Sequence, residues 1–363
     1  MSVSLCMITP AASRLLAAAA AVSLAGHADP PVFRSERLAD GVFMVAPTTR
    51  PGFGNDPNSL VVVGDRNVLV VDAQFSATST RAVIAEVARL TKLPVRWLVN
   101  THAHDDHISG NAEWKRAFPG VTIIGHRQMR AEMLGEGAKN RAGFLKNIPA
   151  TSQFLRDLAS KGRGIDGAPT DSAEVQAFRD YADLIERFAA DSGRVEPTPP
   201  DTTFADTLEP HVGRHRVVLR FLGRAHTAGD IVADLPEEGI TAIGDLLAWP
   251  VPLVGTTSYP REYGATLDRL EALGRRRLVP GHGPVLSDGA YLTEVRRLVE
   301  SIAHQVDSMR IAGDSLGVIR KAVRLDEFRR LFAGEDRLKN EVFTNYVVQS
   351  AIPKAFSDGK NYP

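Results

Sequence analysis

Cysteine and net charge are the two features that this sequence most clearly lacks. Its 363 residues include a single cysteine, Cys6, so neither an internal disulfide framework nor a cysteine-ligated metal site is expected. Basic and acidic side chains balance at 43 each, and this zero formal charge gives no electrostatic reason to expect a nucleic acid partner. With 44% hydrophobic residues, the chain can still bury a full core.

The N-terminal stretch 1–28 is typical of a secretory signal peptide. Leu15–Gly26 reads LLAAAAAVSLAG, an apolar run that is too short to span a membrane and is followed by small residues. Cleavage after Ala25 or Ala28 would also remove Cys6. We therefore predict a secreted, periplasmic protein whose mature form has no membrane anchor. A buried alanine-rich helix is the alternative.

Strand and helix patterns alternate in the part of the chain that follows. Helical spacing of apolar residues predicts a helix at Thr78–Leu90. Apolar, β-branched runs predict strands at Val42–Ala46, Ser59–Val63, Asn67–Asp72, Val95–Val99 and Val121–Ile124. This order predicts an α/β fold in which helices cover a sheet, with functional loops at the strand ends.

The stretch Thr101–Asn111, THAHDDHISGN, concentrates metal-ligand side chains directly after a predicted strand. His102, His104, Asp106 and His107 fall within six positions, with Asp105 between them. Imidazole nitrogen and carboxylate oxygen suit zinc, with manganese or iron as substitutes, and residues on an irregular loop can point toward two ions. A solvated histidine and aspartate loop is the alternative.

Two helical regions lie outside the strand pattern. Residues 127–200 predict helices at Ala131–Lys139, Thr151–Lys161 and Ser172–Asp191, which we interpret as an insertion between two halves of the core. It is either a lid or a packing appendage. Residues 291–363 predict amphipathic helices that cover one face of the core, form an oligomer surface or cap the site.

Three later strands end in glycine beside a lone histidine or aspartate. These residues are His226 in GRAHTAGD, Asp245 in GDLL and His282 in PGHG. A lone histidine after a strand is usually satisfied locally, but three such positions added to the loop favour a common site. Asp72, at the end of a predicted strand, is either a supporting acid of this site or a turn residue.

The order HAHDDH, GRAHTAGD, GDLL, PGHG resembles the metallo-β-lactamase superfamily. The resemblance implies a four-layer αββα sandwich over residues 29–290 with a dinuclear metal site along one edge. It further implies that His102, His104 and His226 hold one metal, that Asp106, His107 and His282 hold the other, and that Asp245 bridges them. The family's usual glycine two residues after the aspartate-histidine pair is Ser109 here, which leaves the implied ligands intact.

The chemistry of such a site can be argued independently of the resemblance. Two zinc ions lower the pKa of a shared water from about 16 toward ~7, so hydroxide is available at neutral pH. Asp106 is then placed to orient or pass on the proton and is the predicted catalytic residue. We therefore expect a hydrolase that cleaves a carboxylic ester, thioester, lactone or amide of a small molecule.

The alternatives differ in substrate or in class of protein. With an aspartate at the position of Asp245, the chain resembles glyoxalase II and lactonases more than β-lactamases. Hydrolysis of β-lactams is nevertheless the first alternative. A sulfatase or phosphodiesterase uses the same metals. A di-iron redox protein or a non-catalytic metal-binding protein is the alternative from another class. Trp249, Tyr259 and Tyr263 are candidate substrate contacts, and each is as readily a packing residue.

Overall fold

Two β-sheets packed face to face form the centre of the molecule. The computed structural model describes residues 32–49, 56–192 and 198–358. The predicted signal peptide at 1–28 lies outside the described residues. Hydrogen bonding between neighbouring strands defines a seven-stranded sheet, a five-stranded sheet and a short two-stranded hairpin.

The first sheet follows chain order, antiparallel from β1 to β4 and parallel from β4 to β7. The sequence pattern missed β1 because its residues, FRSERLA, are mostly polar or charged. The strands are β1 (Phe33–Ala39), β2 (Val42–Pro47), β3 (Ser59–Val63), β4 (Val68–Val71), β5 (Val95–Val99), β6 (Thr122–His126) and β7 (Thr202–Phe204).

The second sheet has the order β14-β13-β12-β11-β8, in which β13 and β14 are parallel. Residues 202–208 read as one strand in the sequence but are divided in the structure, since the first half joins the first sheet and the second half joins this one. The strands are β8 (Thr207–Leu208), β11 (Val218–Phe221), β12 (Ile231–Leu235), β13 (Ile240–Gly244) and β14 (Arg277–Pro280), with the hairpin β9 (His211–Val212) and β10 (His215–Arg216).

Alternate residues of the strands face the opposite sheet and the covering helices. Leu60 and Val62 of β3 pack in the cluster between the two sheets, which also holds Ala233 of β12. Val61, between them, packs outward in a cluster with Val83 of a covering helix. This period of two buries both faces of each sheet and explains why the strands read as continuous apolar runs.

Helices cover the outer faces of both sheets, which confirms the predicted αββα sandwich. The first sheet is covered by α1 (Ala77–Leu90) and α3 (Asn111–Ala117), and the short α2 (Asp105–Ile108) precedes α3. The second sheet is covered by α7 (Pro260–Glu271) and α8 (Ala290–Ile311). The helix α1 begins at a side-chain cap, since the hydroxyl of Ser76 accepts a hydrogen bond from the Ser79 N–H.

The insertion forms three helices: α4 (Arg127–Leu134), α5 (Glu136–Lys161) and α6 (Ser172–Ser192). Helices α5 and α6 share one hydrophobic cluster, whereas Met129 and Met133 of α4 pack in another with Ile108 of α2. Two separate helices were predicted where α5 is continuous, because Pro149 removes a backbone donor and reads as a helix break. Apolar residues on both sides of Pro149 pack in the same cluster, which holds the helix together. The insertion connects β6 to β7, which are neighbouring strands of the first sheet.

The C-terminal helices pack in the cluster that covers the second sheet, as one of the predicted alternatives stated. A π-helix spans Thr344–Ala351, and the others are α9 (Leu316–Ala322), α10 (Asp326–Phe332), α11 (Arg337–Phe343) and α12 (Ile352–Asp358). In the described ranges, every helix is too short or too polar to cross a membrane.

Candidate metal centre

The predicted ligand residues converge from four loops that follow strands of both sheets. The loop after β5 carries His102 and His104 and runs into α2, which carries Asp106 and His107. The loop after β11 carries His226, and the residues directly after β13 and β14 include Asp245 and His282. Apart from Asp106 and His104, all of these side chains are buried. Strand ends that meet at one edge of the sandwich therefore bring together residues far apart in sequence.

Three histidines form the first ligand group, which consists of His102, His104 and His226. His104 Nδ1 lies 3.1 Å from His102 Nε2 and 2.9 Å from His226 Nε2. Asp245 Oδ2 lies 3.6 Å from His226 Nε2 and 4.0 Å from His102 Nε2. Ligand atoms of these four residues all lie within 4.8 Å of one another, which is the spacing of donors around one metal ion.

One carboxylate and two histidines form the second ligand group, which consists of Asp106, His107 and His282. Asp106 Oδ2 lies 3.0 Å from His282 Nε2 and 3.2 Å from His107 Nε2. Asp245 lies beside this group as well, because its Oδ1 is 3.6 Å from His107 Nε2 and its Oδ2 is 3.7 Å from His282 Nε2. Asp245 is therefore common to both groups.

Two buried atoms at this centre have no hydrogen-bond partner. They are His107 Nε2 and Asp245 Oδ1, which face each other across the second group. An unpaired buried polar atom costs about 1–3 kcal/mol, so such a pair in one site calls for a missing partner. A divalent cation between nitrogen and carboxylate oxygen donors would satisfy both atoms, and the residues present therefore fit a metal centre.

The remaining ring nitrogens are held by hydrogen bonds that determine which nitrogen faces the metal. His226 Nδ1 lies 2.7 Å from the carbonyl oxygen of Leu253, which can only accept, so Nδ1 donates and Nε2 is left free. His107 Nδ1 likewise lies 2.8 Å from Asp72 Oδ2. Thr257 Oγ1 lies 3.0 Å from His104 Nε2, which leaves Nδ1 for the metal. These contacts orient the ligands before any ion binds.

Asp72 combines the two roles that the sequence left open. Its backbone has a φ of 67°, which marks a tight turn at the end of β4. Its carboxylate accepts hydrogen bonds from the backbone N–H and the hydroxyl of Thr101, at 2.8 and 2.9 Å, in addition to the contact with His107. The turn thus places an acid that supports both the histidine loop and one ligand of the second group.

Burial keeps the first group in the neutral state that binds metals. It lowers the pKa of His104 to about 3 and also lowers the pKa of His226. The pKa of His102 is held well below its usual value for the same reason. Burial alone would raise the pKa of Asp245, but His282 and His107 outweigh it, and the pKa of Asp245 lies well below its usual value. Neutral imidazoles around an ionised carboxylate are the donor state that a divalent metal requires.

Glycines provide the space that the shared carboxylate occupies. A Cβ atom on Gly281 would lie 2.2 Å from Asp245 Oδ1 and 2.8 Å from His107 Cε1. A Cβ on Gly244, whose φ is 51°, would lie 2.6 Å from Thr101 Oγ1. Glycine is therefore required at the ends of β13 and β14, because ligand and supporting side chains approach the backbone closely there.

The candidate substrate residues lie at different depths. Tyr263 is buried, and its hydroxyl lies 3.2 Å from the Leu246 carbonyl oxygen, which favours a packing role. Tyr259 is half-buried between the Arg224 guanidinium and the Lys354 ammonium group, 4.4 and 4.6 Å from its ring centroid. Trp249 is half-buried, and its Cβ lies 2.7 Å from the position that a Cβ on Gly283 would take.

The residues that support the centre from outside the ligand groups give no signal in the sequence. Thr257 lies in a loop beside Thr256 and Ser258, and no pattern pointed to it. Arg141 of α5 and Arg187 of α6 lie on insertion helices and form ion pairs with Asp105 and Asp56, at 2.7 Å for Arg141 Nε and 4.0 Å for Arg187 Nη2. Arginine on an amphipathic helix usually faces solvent, so only the folded chain reveals these contacts.

Comparisons with known proteins agree with this arrangement. The family model described as metallo-beta-lactamase superfamily matches residues 52–282. A linear primary-alkylsulfatase from Pseudomonas sp. (strain ATCC 19151) is 24% identical over 265 residues, which cover 67% of this chain and 45% of that protein. The chain therefore spans less than half the length of this relative.

Solved structures show a similar fold. The metallo-beta-lactamase FIM-1 from Pseudomonas aeruginosa has a TM-score of 0.50 and 18% identity, covering 76% of this chain and 98% of that one. TMB-1 has a TM-score of 0.50 and 16% identity, covering 74% of this chain and 98% of its own. At these identities, the likeness concerns the fold alone.

Proposed function

The chain belongs to the metallo-β-lactamase superfamily, and from this premise we propose that it is a dinuclear zinc hydrolase that cleaves a carboxylic ester, thioester, lactone or amide. Residues 29–290 form its proposed catalytic domain. The observation that carries the proposal is the pair of ligand groups that share Asp245. Two three-residue groups joined by one carboxylate suit two ions at short separation.

Each proposed ligand has a defined part in holding the ions. His102, His104 and His226 would hold the first ion as neutral donors, and Asp106, His107 and His282 would hold the second, with Asp245 between them. When bound, the two ions would activate water at neutral pH and polarise the bond that is cleaved. Zinc suits these nitrogen and oxygen donors, and manganese or iron would be accepted by the same set.

Asp106 is the proposed catalytic residue. Its side chain is 27% exposed, whereas that of Asp245 is 3% exposed, so Asp106 is the carboxylate on the open side of the second group. Nε2 of His282 and of His107 both lie close to Asp106 Oδ2, which leaves its other oxygen able to take a proton from the attacking water and pass it to the leaving group.

A sulfate ester is the second candidate substrate. The relative that matches 67% of this chain is named a linear primary-alkylsulfatase. Two arginines of the insertion also approach the site, since Arg141 pairs with Asp105, the neighbour of Asp106, and Arg187 pairs with Asp56. Sulfate monoesters carry a permanent negative charge, which guanidinium groups recognise. The carbonyl and sulfate candidates differ in the charge of the substrate, which makes them separable by experiment.

Metal analysis and a substrate panel test the proposal together. We expect purified protein to contain two equivalents of zinc and to hydrolyse at least one member of a panel of nitrophenyl esters, thioesters, lactones, alkyl sulfates and cephalosporins. Removing the metal with a chelator should abolish turnover, and zinc should restore it. Two irons with a visible absorption band and no hydrolysis would instead favour the redox alternative.

A further inference from the structure

Arg187 is a charged side chain whose hydrogen-bonding capacity is unused. It lies on α6 of the insertion, and its side chain is 15% exposed. Its Nε is buried and has no hydrogen-bond partner, and among the described residues its one polar contact is an ion pair of 4.0 Å with Asp56. A guanidinium carries five N–H donors, and leaving them unpaired in a largely buried position is costly.

Asp56 does not saturate this guanidinium. A distance of 4.0 Å between Arg187 Nη2 and Asp56 Oδ2 is too long for a hydrogen bond, and the same oxygen already accepts one of 2.9 Å from the Ser79 hydroxyl. Arginine paired with a single carboxylate usually forms two parallel hydrogen bonds at shorter range. The geometry therefore leaves the donors of Arg187 available to a second anionic partner.

Asp56 relates this guanidinium to the second ligand group, since burial raises the pKa of its carboxyl to about 6 and the charges of Arg187, Asp106 and His282 also act on it. Asp56 is two residues before Asn58, whose backbone N–H donates a 2.7 Å hydrogen bond to the Gly281 carbonyl oxygen. The Asn58 side chain also donates to the carbonyl oxygens of Pro280 and Gly283, at 2.9 and 2.8 Å. Asn58 thus holds the loop that carries His282, and Asp56, the ion-pair partner of Arg187, lies two residues before Asn58.

We propose that Arg187 is a specificity-determining residue that binds the negatively charged oxygen atoms of a sulfate or carboxylate group carried by the substrate. The proposal rests on the hydrolase function only for the statement that this anion belongs to a substrate. It gives the insertion a part in substrate choice, since α6 supplies the positive charge while the sandwich supplies the ligand groups. Guanidinium geometry matches the oxygen pairs of both anions.

Binding of anions that resist hydrolysis tests the proposal without relying on turnover. Hexane-1-sulfonate and hexanoate are titrated by calorimetry into the purified metal-containing protein, with hexan-1-ol as the neutral probe. We expect Arg187→Ala to weaken binding of the preferred anion roughly tenfold or more and to leave hexan-1-ol unchanged. Preference for sulfonate identifies a sulfate-bearing substrate, and preference for hexanoate identifies a carboxylate-bearing one.

Three further variants separate anion binding from a structural role. Arg179→Ala removes an exposed arginine from the same helix and should bind both anions as the wild type does. Arg187→Lys keeps the charge without the paired donors and should recover part of the affinity. Asp56→Asn combined with Arg187→Ala removes both members of the ion pair, so that no buried charge is left unpaired, and should still bind the anion weakly.

Two results would overturn the proposal. One is an unchanged anion affinity in Arg187→Ala, and the other is a wild-type protein that binds hexan-1-ol as tightly as the anions. If Arg187 governs anion binding but the panel of esters and sulfates is not hydrolysed, the hydrolase function fails while the anion site stands.

Discussion

Arg141 of α5 donates hydrogen bonds to Asp105, the first residue of α2, with its Nε 2.7 Å from Asp105 Oδ1. Asp105 immediately precedes the proposed ligands Asp106 and His107, so this ion pair ties the insertion to the helix that carries two of the three residues of the second group. Both side chains are largely buried, at 11% exposure for Arg141 and 20% for Asp105. The insertion is therefore in direct contact with the loop that presents the proposed ligands.

Arg141→Ala should destabilise the fold by about 1–3 kcal/mol, since it leaves the Asp105 carboxylate unpaired. Because α2 then loses an anchor, we also expect the second metal to bind roughly tenfold more weakly. Urea unfolding and metal titration measure the two effects. Lys139→Ala is the control, because that lysine forms an exposed pair with Glu136 on the same helix. Equal metal affinity in both variants would contradict the prediction.

Asp245→Asn tests the shared carboxylate. The substitution keeps the side chain's size but removes the charge shared between two ions, so the second metal should loosen about tenfold to a hundredfold. We expect a folded variant that retains close to one metal equivalent and whose activity is partly restored by excess zinc. A structural role is the alternative. Unchanged stoichiometry of two with a lower melting temperature would favour that alternative.

Gly281→Ala should disturb the same carboxylate without changing its chemistry. The added methyl group would lie 2.2 Å from Asp245 Oδ1, so either the carboxylate or the loop must move. We expect metal content and activity to fall together while far-ultraviolet circular dichroism stays unchanged. Gly120→Ala is the matched control, since the nearest atom to its added Cβ lies 3.8 Å away. Full metal content in Gly281→Ala would refute the prediction.

Asp230 predicts a pH dependence of stability. Burial raises the pKa of this carboxyl from 3.8 to about 8, although it accepts hydrogen bonds from Thr227. Between these values the unfolded chain loses a proton that the folded chain keeps, so stability falls as pH rises, by at most ~1.4 kcal/mol per pH unit. Below pH 3.8 and above about 8 this contribution is constant.

Urea unfolding of metal-free protein from pH 4 to 9 measures this dependence. The histidines titrate over the same range, so the informative quantity is the difference between wild type and Asp230→Asn, which keeps an acceptor for Thr227 but does not ionise. We expect that difference to change across the window from pH 4 to 8. Parallel curves for the two proteins would show that Asp230 ionises normally.

Residues 1–28 predict where the mature chain begins. If they are a signal peptide, protein recovered from its host should start near Gly26 or Asp29 and be released with the periplasmic fraction. N-terminal sequencing and mass spectrometry of that fraction check both points. An unprocessed chain recovered with the cytoplasm would show that the apolar run is not cleaved.

Local patterns predicted the parts of the structure that depend on neighbouring residues. The bounds of β3 and β5 follow directly from β-branched runs, and the αββα order follows from alternation together with the resemblance. The seven candidate ligands also come together, because each follows a strand whose end lies at one edge. The charged strand β1 and the continuous α5 were missed, since tertiary packing overrides polar composition in one and Pro149 in the other.

The supporting contacts could not have been read from the sequence. Thr257 lies 153 positions from His104, and Asp56 lies 131 positions from Arg187. Neither pair has a local spacing that distinguishes it from any other threonine or arginine in a loop or helix. Such contacts are fixed only when the sheets stack and the insertion docks through Phe75, whose ring lies 4.3 Å from that of Phe188.

The position of the insertion between β6 and β7 has a consequence for how this scaffold can change. These strands are parallel neighbours, and joining parallel neighbours always requires a crossover connection of a dozen residues or more. The helices therefore occupy a connection that the sheet needs in any case, and its length can grow or shrink without altering strand order. Exchanging this one segment between homologous proteins would transplant a set of side chains while the catalytic edge keeps its architecture.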